Sequence, residues 1–288
     1  MIVLVGFLVV IASVLGGFAM ANGPFQVLLA WSEYVVIIGT AAGTLIISTP
    51  LPTIKLIVSK TTAVLKGNAF TSALYMDVLK LLYELFQIAR RDGLVAIESH
   101  IEDPKKSLVF KKYPRVLHEE HEVVFLCDSL RLVLVGSVPA YDLESLMEAE
   151  IDLHHEQEAK AVAALNKVSD SLPGIGIVAA VLGIVVTMQS VGGPVEQIGH
   201  HVASALVGTF LGILLSYGFL APLATSIEVR DADATRFYHV LKAAVVAFAK
   251  GFPPIVAVEF ARRAIPAEVR PAFAAMETAC KESVKKAA

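Results

Sequence analysis

Lysine and arginine are missing from two long stretches of this 288-residue chain: none precedes Lys55, and none lies between Lys167 and Arg230. Charged residues make up only 18% of the chain, against about 25% in soluble domains, which argues against a wholly water-exposed protein. A net charge of −3 argues against a nucleic-acid binder, which would want a concentrated basic face. Only two cysteines occur, Cys127 and Cys280, both in charged segments, so they read as reduced cytosolic thiols and not as a disulfide. The first residues lack a basic segment, which predicts a retained first span.

Both cation-free stretches are apolar and long enough to cross a bilayer twice, at about 20 helical residues per crossing. The expected spans are 2–20 and 28–48, the latter closed by Pro50 and Pro52, then 172–190 and 202–225. Their connecting loops, 21–26 and 191–199, carry no Lys or Arg, whereas fourteen such residues fall in 55–167 and ten in 230–286. Positive-inside asymmetry places both loops outside and both termini in the cytoplasm. The fold class is therefore an all-α integral membrane protein with four transmembrane helices in two hairpins. A large helical cytoplasmic domain is inserted between spans 2 and 3. The domains read as 1–52 (spans 1 and 2), 53–168 (cytoplasmic), 169–229 (spans 3 and 4) and 230–288 (cytoplasmic C-terminal helices).

In the 53–168 region, Thr71 is placed to cap a helix. Its apolar residues Leu74, Val78, Leu81, Leu82, Leu85 and Ile88 recur at three- and four-residue spacing. Arg90, Arg91, Asp92 and Gly93 suit its C-terminus, where cations are favoured and glycine breaks the helix. A second pattern runs unbroken from near Asp142 to Pro173 and into the third span. The fourth span continues past Glu228 toward Gly251, and Pro253, Pro254, Pro266 and Pro271 punctuate the C-terminal segment.

Ionisable groups inside a bilayer are costly and usually functional. Spans 3 and 4 have none at mid-depth: Asp170 and Glu228 sit at the inner ends and Glu196 in the outer loop. Glu33, near the outer end of span 2, reads either as a group beside a cation entrance or as an interfacial carboxylate close to water. Spans 3 and 4 instead carry small residues along one face each: Pro173, Gly176, Ala180, Gly183 and Thr187 in the third, and Ala205, Gly208, Thr209, Gly212 and Ser216 in the fourth. Such faces serve close helix packing, as Gly208-x-x-x-Gly212 and Gly39-x-x-x-Gly43 suggest, or surround a foreign helix. On the second reading the proton carrier comes from the other chain, because Thr187 and Thr209 cannot titrate.

Several segments now converge on one family. They are Asp170-Ser-Leu-Pro-Gly-Ile-Gly-Ile-Val-Ala-Ala-Val-Leu-Gly, Val207-Gly-Thr-Phe-Leu-Gly-Ile-Leu-Leu-Ser-Tyr-Gly-Phe, Ala221-Pro-Leu-Ala-Thr and Pro253-Pro-Ile-Val-Ala-Val-Glu-Phe. Tyr75-Met-Asp-Val-Leu-Lys-Leu-Leu-Tyr leads toward Arg90 and Glu98. Over almost its whole length the chain resembles the MotA family of flagellar stator A subunits, within the wider group that includes TolQ and ExbB. Four spans fit MotA, as opposed to the three of TolQ and ExbB. The resemblance implies a pentamer of this chain around a dimer of MotB-type subunits in the bacterial inner membrane. MotB supplies the proton-carrying aspartate and the peptidoglycan anchor, and ion flow turns the rotor through FliG. Pro173 and Pro222 match the family prolines tied to the conformational cycle; a membrane proline removes a backbone hydrogen bond. Thr209 matches the channel threonine beside the B-subunit aspartate. Ala180 stands where sodium-driven relatives tend to carry threonine, which favours protons over sodium as coupling ion. Arg90 and Glu98 match the charges that engage FliG, with Arg91 sharing the role of Arg90; their signs suit exchange with a charged surface. Glu150 also matches an acidic family position but reads as part of a solvated helix face. Gly174-Ile175 departs from the usual Ala-Phe.

No enzyme, cofactor or metal is expected. His118-Glu-Glu-His121 has the wrong spacing for a zinc helix, His154, His155 and Glu158 read as surface charge, and no phosphate-binding glycine loop occurs. The alternatives are a TolQ/ExbB-like energiser of another envelope machine and a solute transporter. The latter would place polar groups and broken helices at mid-membrane, which these spans lack.

Overall fold

The computed structural model describes residues 2–67, 70–189, 192 and 194–285, and among these the chain is all-helical, with no strand. Four helical stretches are long and apolar enough to cross a membrane: Ile2–Met20, Phe25–Ser48, Ala140–Met188 and Gln197–Ala249. The residues divide into two compact units, one of 1–67 with 157–230 and the other of 68–156 with 231–288.

In the first unit, α1 (Ile2–Met20) buries no residue. Phe7 packs on Phe219, but a helix apolar all round with no residue fully covered is one suited to lipid. A single turn, α2 (Phe25–Leu28), leads to α3 (Trp31–Ser48), which ends where Thr49 turns extended ahead of Pro50. The two prolines close the span as expected, and Pro52 does more: it lies in the first turn of α4 (Leu51–Lys66), where its missing N–H has no partner to lose. The sequence pattern did not single out α4. It is amphipathic, burying Ile57 and Val64 against Ala161, Val162, Leu165, Ala224 and Ile227. Its buried Lys60 pairs with Glu158, and Arg230 donates to the carbonyls of Ala63 and Gly67, holding the helix end where Gly67 adopts φ +115°.

The expected continuous helix through Pro173 is present as α9 (Ala140–Met188), 49 residues long with the proline inside it. The fourth span starts earlier than expected, as α10 (Val195–Ile213), and is not uniform. Leu214–Leu220 is π-helical before α11 (Ala221–Ala249) begins. Pro222 explains the change of pitch. It cannot donate to the turn before it, and the wider spacing lets Ala221 N–H reach the Ser216 carbonyl. That carbonyl also accepts from the Ser169 hydroxyl at 3.2 Å, a polar clasp between α9 and the π segment.

The second unit is built on α5 (Ser72–Asp92), capped as expected by Thr71, whose hydroxyl accepts from Leu74 N–H. Leu74, Val78, Leu81, Leu82 and Leu85 are buried, and Ile88 packs at the core's edge. The helix stops at Gly93, φ +92°. Around it stand α6 (Glu98–Glu102), α7 (Pro114–His118), α8 (Glu120–Val135), the start of α9, most of α11, α12 (Pro254–Ala264) and α13 (Phe273–Lys285). Phe86 stacks flat on Phe248 with centroids 4.3 Å apart, and buried Glu84 accepts from Lys112 and Tyr113. Of the histidines read as surface charge, exposed His155 faces Thr235, whereas His154 is half-buried and packs on the Tyr238 ring.

Cys127 and Cys280 are free, as expected, and buried in this core, where loss of hydration pushes both thiols up to about 12. Since the thiolate is the reactive form, neither is expected to react with a thiol-specific disulfide reagent at neutral pH until the unit is unfolded. Counting reactive thiols before and after denaturant checks this, and one fast-reacting thiol in the native chain would contradict it.

Candidate functional site

The small-residue faces of α9 and α10 meet each other. A Cβ added at Gly176 would lie 2.8 Å from the Gly208 carbonyl oxygen, and one at Gly212 would lie 2.6 Å from the Leu172 carbonyl oxygen and 2.9 Å from Gly176 Cα. One at Gly183 would lie 2.7 Å from Ala205 Cβ. These glycines therefore serve backbone-to-backbone packing within the chain. In contrast, a Cβ at Gly39 or Gly43 meets nothing within 4 Å, so this pair has no such role among the described residues.

One carboxylate lies at this seam. Glu33, in the first turn of α3, is only 5% exposed. Its Oε2 is 2.6 Å from where a Gly208 Cβ would stand, and its Oε1 is 3.5 Å from the corresponding point at Gly183. Oε2 has no hydrogen-bond partner among the described residues. The reading of Glu33 as an interfacial carboxylate close to water is thus corrected: helix packing covers it.

Other sequence-selected residues gather around the same seam. Thr187 is buried and donates to the Gly183 carbonyl at 2.8 Å, one turn earlier on its own helix. Ala180 is half-buried, its backbone nitrogen 3.3 Å from the Cβ position of Gly208. Thr209 is half-buried with its Cα against Gly176. Pro173 is half-buried within α9, beside the Leu172 carbonyl that approaches Gly212. Pro222 is exposed and stands apart, just past the π segment. Glu196 falls in the first turn of α10.

The charged candidates lie in the second unit and are all exposed. Arg90 and Arg91 occupy the last turn of α5, and Glu98 opens α6 after the tight turn Leu94–Ile97, anchored by buried Ile97. Arg90 reaches the Gly251 carbonyl only at 3.5 Å, whereas Arg91 grips Asp92 with two bonds of 2.9 and 2.8 Å. Val95, between the charges, is 70% exposed, an apolar element that charge-based reading passes over. Glu150 is exposed on α9 as a solvated-face residue should be; loss of hydration, then the Asp128 carboxylate, raises its pKa.

This arrangement matches known proteins over nearly the full chain. Residues 4–93 match the model of the motility protein A N-terminal region, and residues 118–237 match that of the MotA/TolQ/ExbB proton channel family. Motility protein A of Salmonella typhimurium is 38% identical over 96% of this chain and 94% of its own length. That of Escherichia coli is 37% identical with the same coverage. Among solved structures, C. jejuni MotAB superposes with a TM-score of 0.75 at 20% identity, covering 92% of this chain and 95% of that one. The flagellar MotAB stator complex of Bacillus subtilis superposes with a TM-score of 0.74 at 22% identity, covering 93% and 96%. Four apolar helices, a glycine seam and relatedness along almost the entire sequence lead to one statement of kinship: the chain is a membrane protein of the MotA/TolQ/ExbB proton channel family, homologous to motility protein A.

Proposed function

We propose that the chain is the A subunit of a flagellar stator, which with a MotB-type partner conducts protons and converts their flow into torque on the rotor protein FliG. The observation that carries this reading is the 38% identity to a motility protein A over 96% of the chain, spanning both units. The neighbouring fold comes from MotAB complexes, which supports a B-type partner. A pentamer around a B dimer is the assembly we infer from the family resemblance. The role is conduction and mechanical coupling, not chemical catalysis.

The distribution of Lys and Arg supports two hairpins with both loops outside, both termini in the cytoplasm and the 53–168 segment inserted on the cytoplasmic side of the inner membrane. On this layout 1–52 and 169–229 hold the spans, and 230–288 returns to the cytoplasm. Ala180, Thr187 and Thr209 line the ion path. Ala180 offers no oxygen to replace sodium's hydration shell, so protons are the coupling ion. Pro173 and Pro222 bend the inner ends of spans 3 and 4 during the cycle, and the π turn beside Pro222 is the local feature that supports such movement. Arg90, Arg91 and Glu98 meet the rotor.

Removing the chain is expected to leave flagellar filaments in place but paralysed, with swimming restored by the wild-type chain. Filament counts by microscopy and swimming speed check this. Normal swimming in a strain with no second stator set would sink the reading and favour the energiser of another envelope machine.

A further inference from the structure

Glu33 is a group the stator reading leaves without work, since the proton carrier there belongs to the partner chain. It nevertheless sits in a costly position: in an apolar span, 5% exposed, with Oε2 unpartnered among the described residues and directed at the α9/α10 seam. No fixed cation stands opposite it among the described residues. On α3 the other titratable group is Tyr34, whose hydroxyl donates to the Leu28 carbonyl at 3.3 Å. From Ser171 to Met188, α9 carries no ionisable residue. On α10 the titratable residues are Glu196, His200 and His201, all before the Ala205–Gly208 stretch that covers the carboxyl. The lysines of α4, which also touches α3, follow the far end of that helix.

A bare carboxylate in such surroundings costs several kcal/mol, of the order given for unpaired charge within membranes. The smallest group that removes this cost is a proton, and the carboxyl lies close against both glycines, 2.6 Å from a Cβ position at Gly208 and 3.5 Å from one at Gly183. Thr187, whose hydroxyl proton is committed to the Gly183 carbonyl, keeps acceptor capacity one turn from the same glycine.

We propose that Glu33 is a proton-binding site of this chain itself, distinct from the carrier on the partner. The carboxyl holds a proton while seated between Gly183 and Gly208. When the first turn of α3 moves off the seam, it releases that proton to water as hydronium; reprotonation by hydronium reverses the step. Taking the site as part of the proton path rests on the stator reading. That the site is protonated does not.

The test uses the full complex with its B-type partner in liposomes, comparing wild type with Glu33→Gln, which copies the loaded carboxyl in shape but cannot release a proton. The infrared difference between the two at neutral pH is expected to show a carboxylic C=O band that shifts in D2O. Proton flux is expected to be lost in the variant while membrane level and partner binding stay unchanged. A carboxylate band in the difference spectrum, or undiminished flux in Glu33→Gln, would overturn the proposal. Should Glu33→Gln fail to assemble, Glu33→Asp replaces it: a displaced carboxylic band supports the site, and an unmoved one removes it. If wild type itself conducts no protons, the stator reading fails, and the infrared band alone decides whether Glu33 binds a proton.

Discussion

A strain whose chain carries Arg90→Glu together with Glu98→Lys is expected to grow normal filaments and not swim. The membrane level of the chain, and proton flux through its complex, should stay as in wild type. Both side chains are exposed, and the long 3.5 Å contact from Arg90 to the Gly251 carbonyl is at the limit of a hydrogen bond. Reversing them strands no buried charge, so the folding cost should stay within about 0.5 kcal/mol, as for surface changes generally. Contact with a charged rotor surface responds differently, because like charges brought together across an interface repel and also remove the steering of encounter. A charge-reversed rotor surface should then restore some swimming. Arg91→Ala should have the smaller effect, since that guanidinium is already occupied by Asp92 in a two-pronged pair. Speed of tethered cells, read against chain level in the membrane, checks the ordering. Paralysis accompanied by loss of the chain from the membrane would instead assign these residues to folding.

The spans were legible because charge is excluded from lipid more strictly than any pattern is imposed elsewhere: the gaps before Lys55 and between Lys167 and Arg230 outline all four. Punctuation was legible for steric reasons, at Pro50, at Gly93 with its positive φ, and at Gly251. Helix α4 was not singled out, since Lys55, Lys60 and Lys66 give its stretch the look of an ordinary charged segment. Its apolar face, with Ile57 and Val64, is covered by Ala161, Leu165 and Ala224, about a hundred residues or more away in sequence. The π turn was missed because i→i+5 pairing leaves no compositional signature beyond the proline after it. In sequence Glu33 stands beside Trp31 and Tyr34, residues that favour a membrane surface, so water is the neighbour to expect. Its burial depends on Gly183 and Gly208 closing over it, a tertiary fact that no local window contains.

The seam itself should tolerate least. Gly212→Leu is expected to prevent a stable A–B complex, whereas Gly174→Ala, on the partner helix and two residues from the seam, should be neutral or mildly stabilising. At Gly212 the atoms in the way are backbone: a Cβ would stand 2.6 Å from the Leu172 carbonyl oxygen, 2.9 Å from Gly176 Cα and 3.1 Å from Gly176 N. No rotamer change relieves such contacts, so α9 and α10 must separate. Overpacking in a tight core costs about 1–3 kcal/mol, occasionally more, even where side chains can yield. Here separation also gives up the close packing that substitutes for the hydrophobic effect between helices in lipid. Gly174 has nothing within 4 Å of its Cβ position, so alanine adds no clash there and gains roughly 0.5–1 kcal/mol of helix preference over glycine. Thermal unfolding of the detergent-solubilised complex, monitored by size-exclusion chromatography, should rank Gly174→Ala at or above wild type and Gly212→Leu far below it. Equal midpoints for all three would mean that the glycine contact contributes little, and that α9 and α10 are held by their neighbours instead. In that case the burial of Glu33 would be an accident of packing, because the close approach of α9 and α10 is what holds Gly183 and Gly208 over its carboxyl.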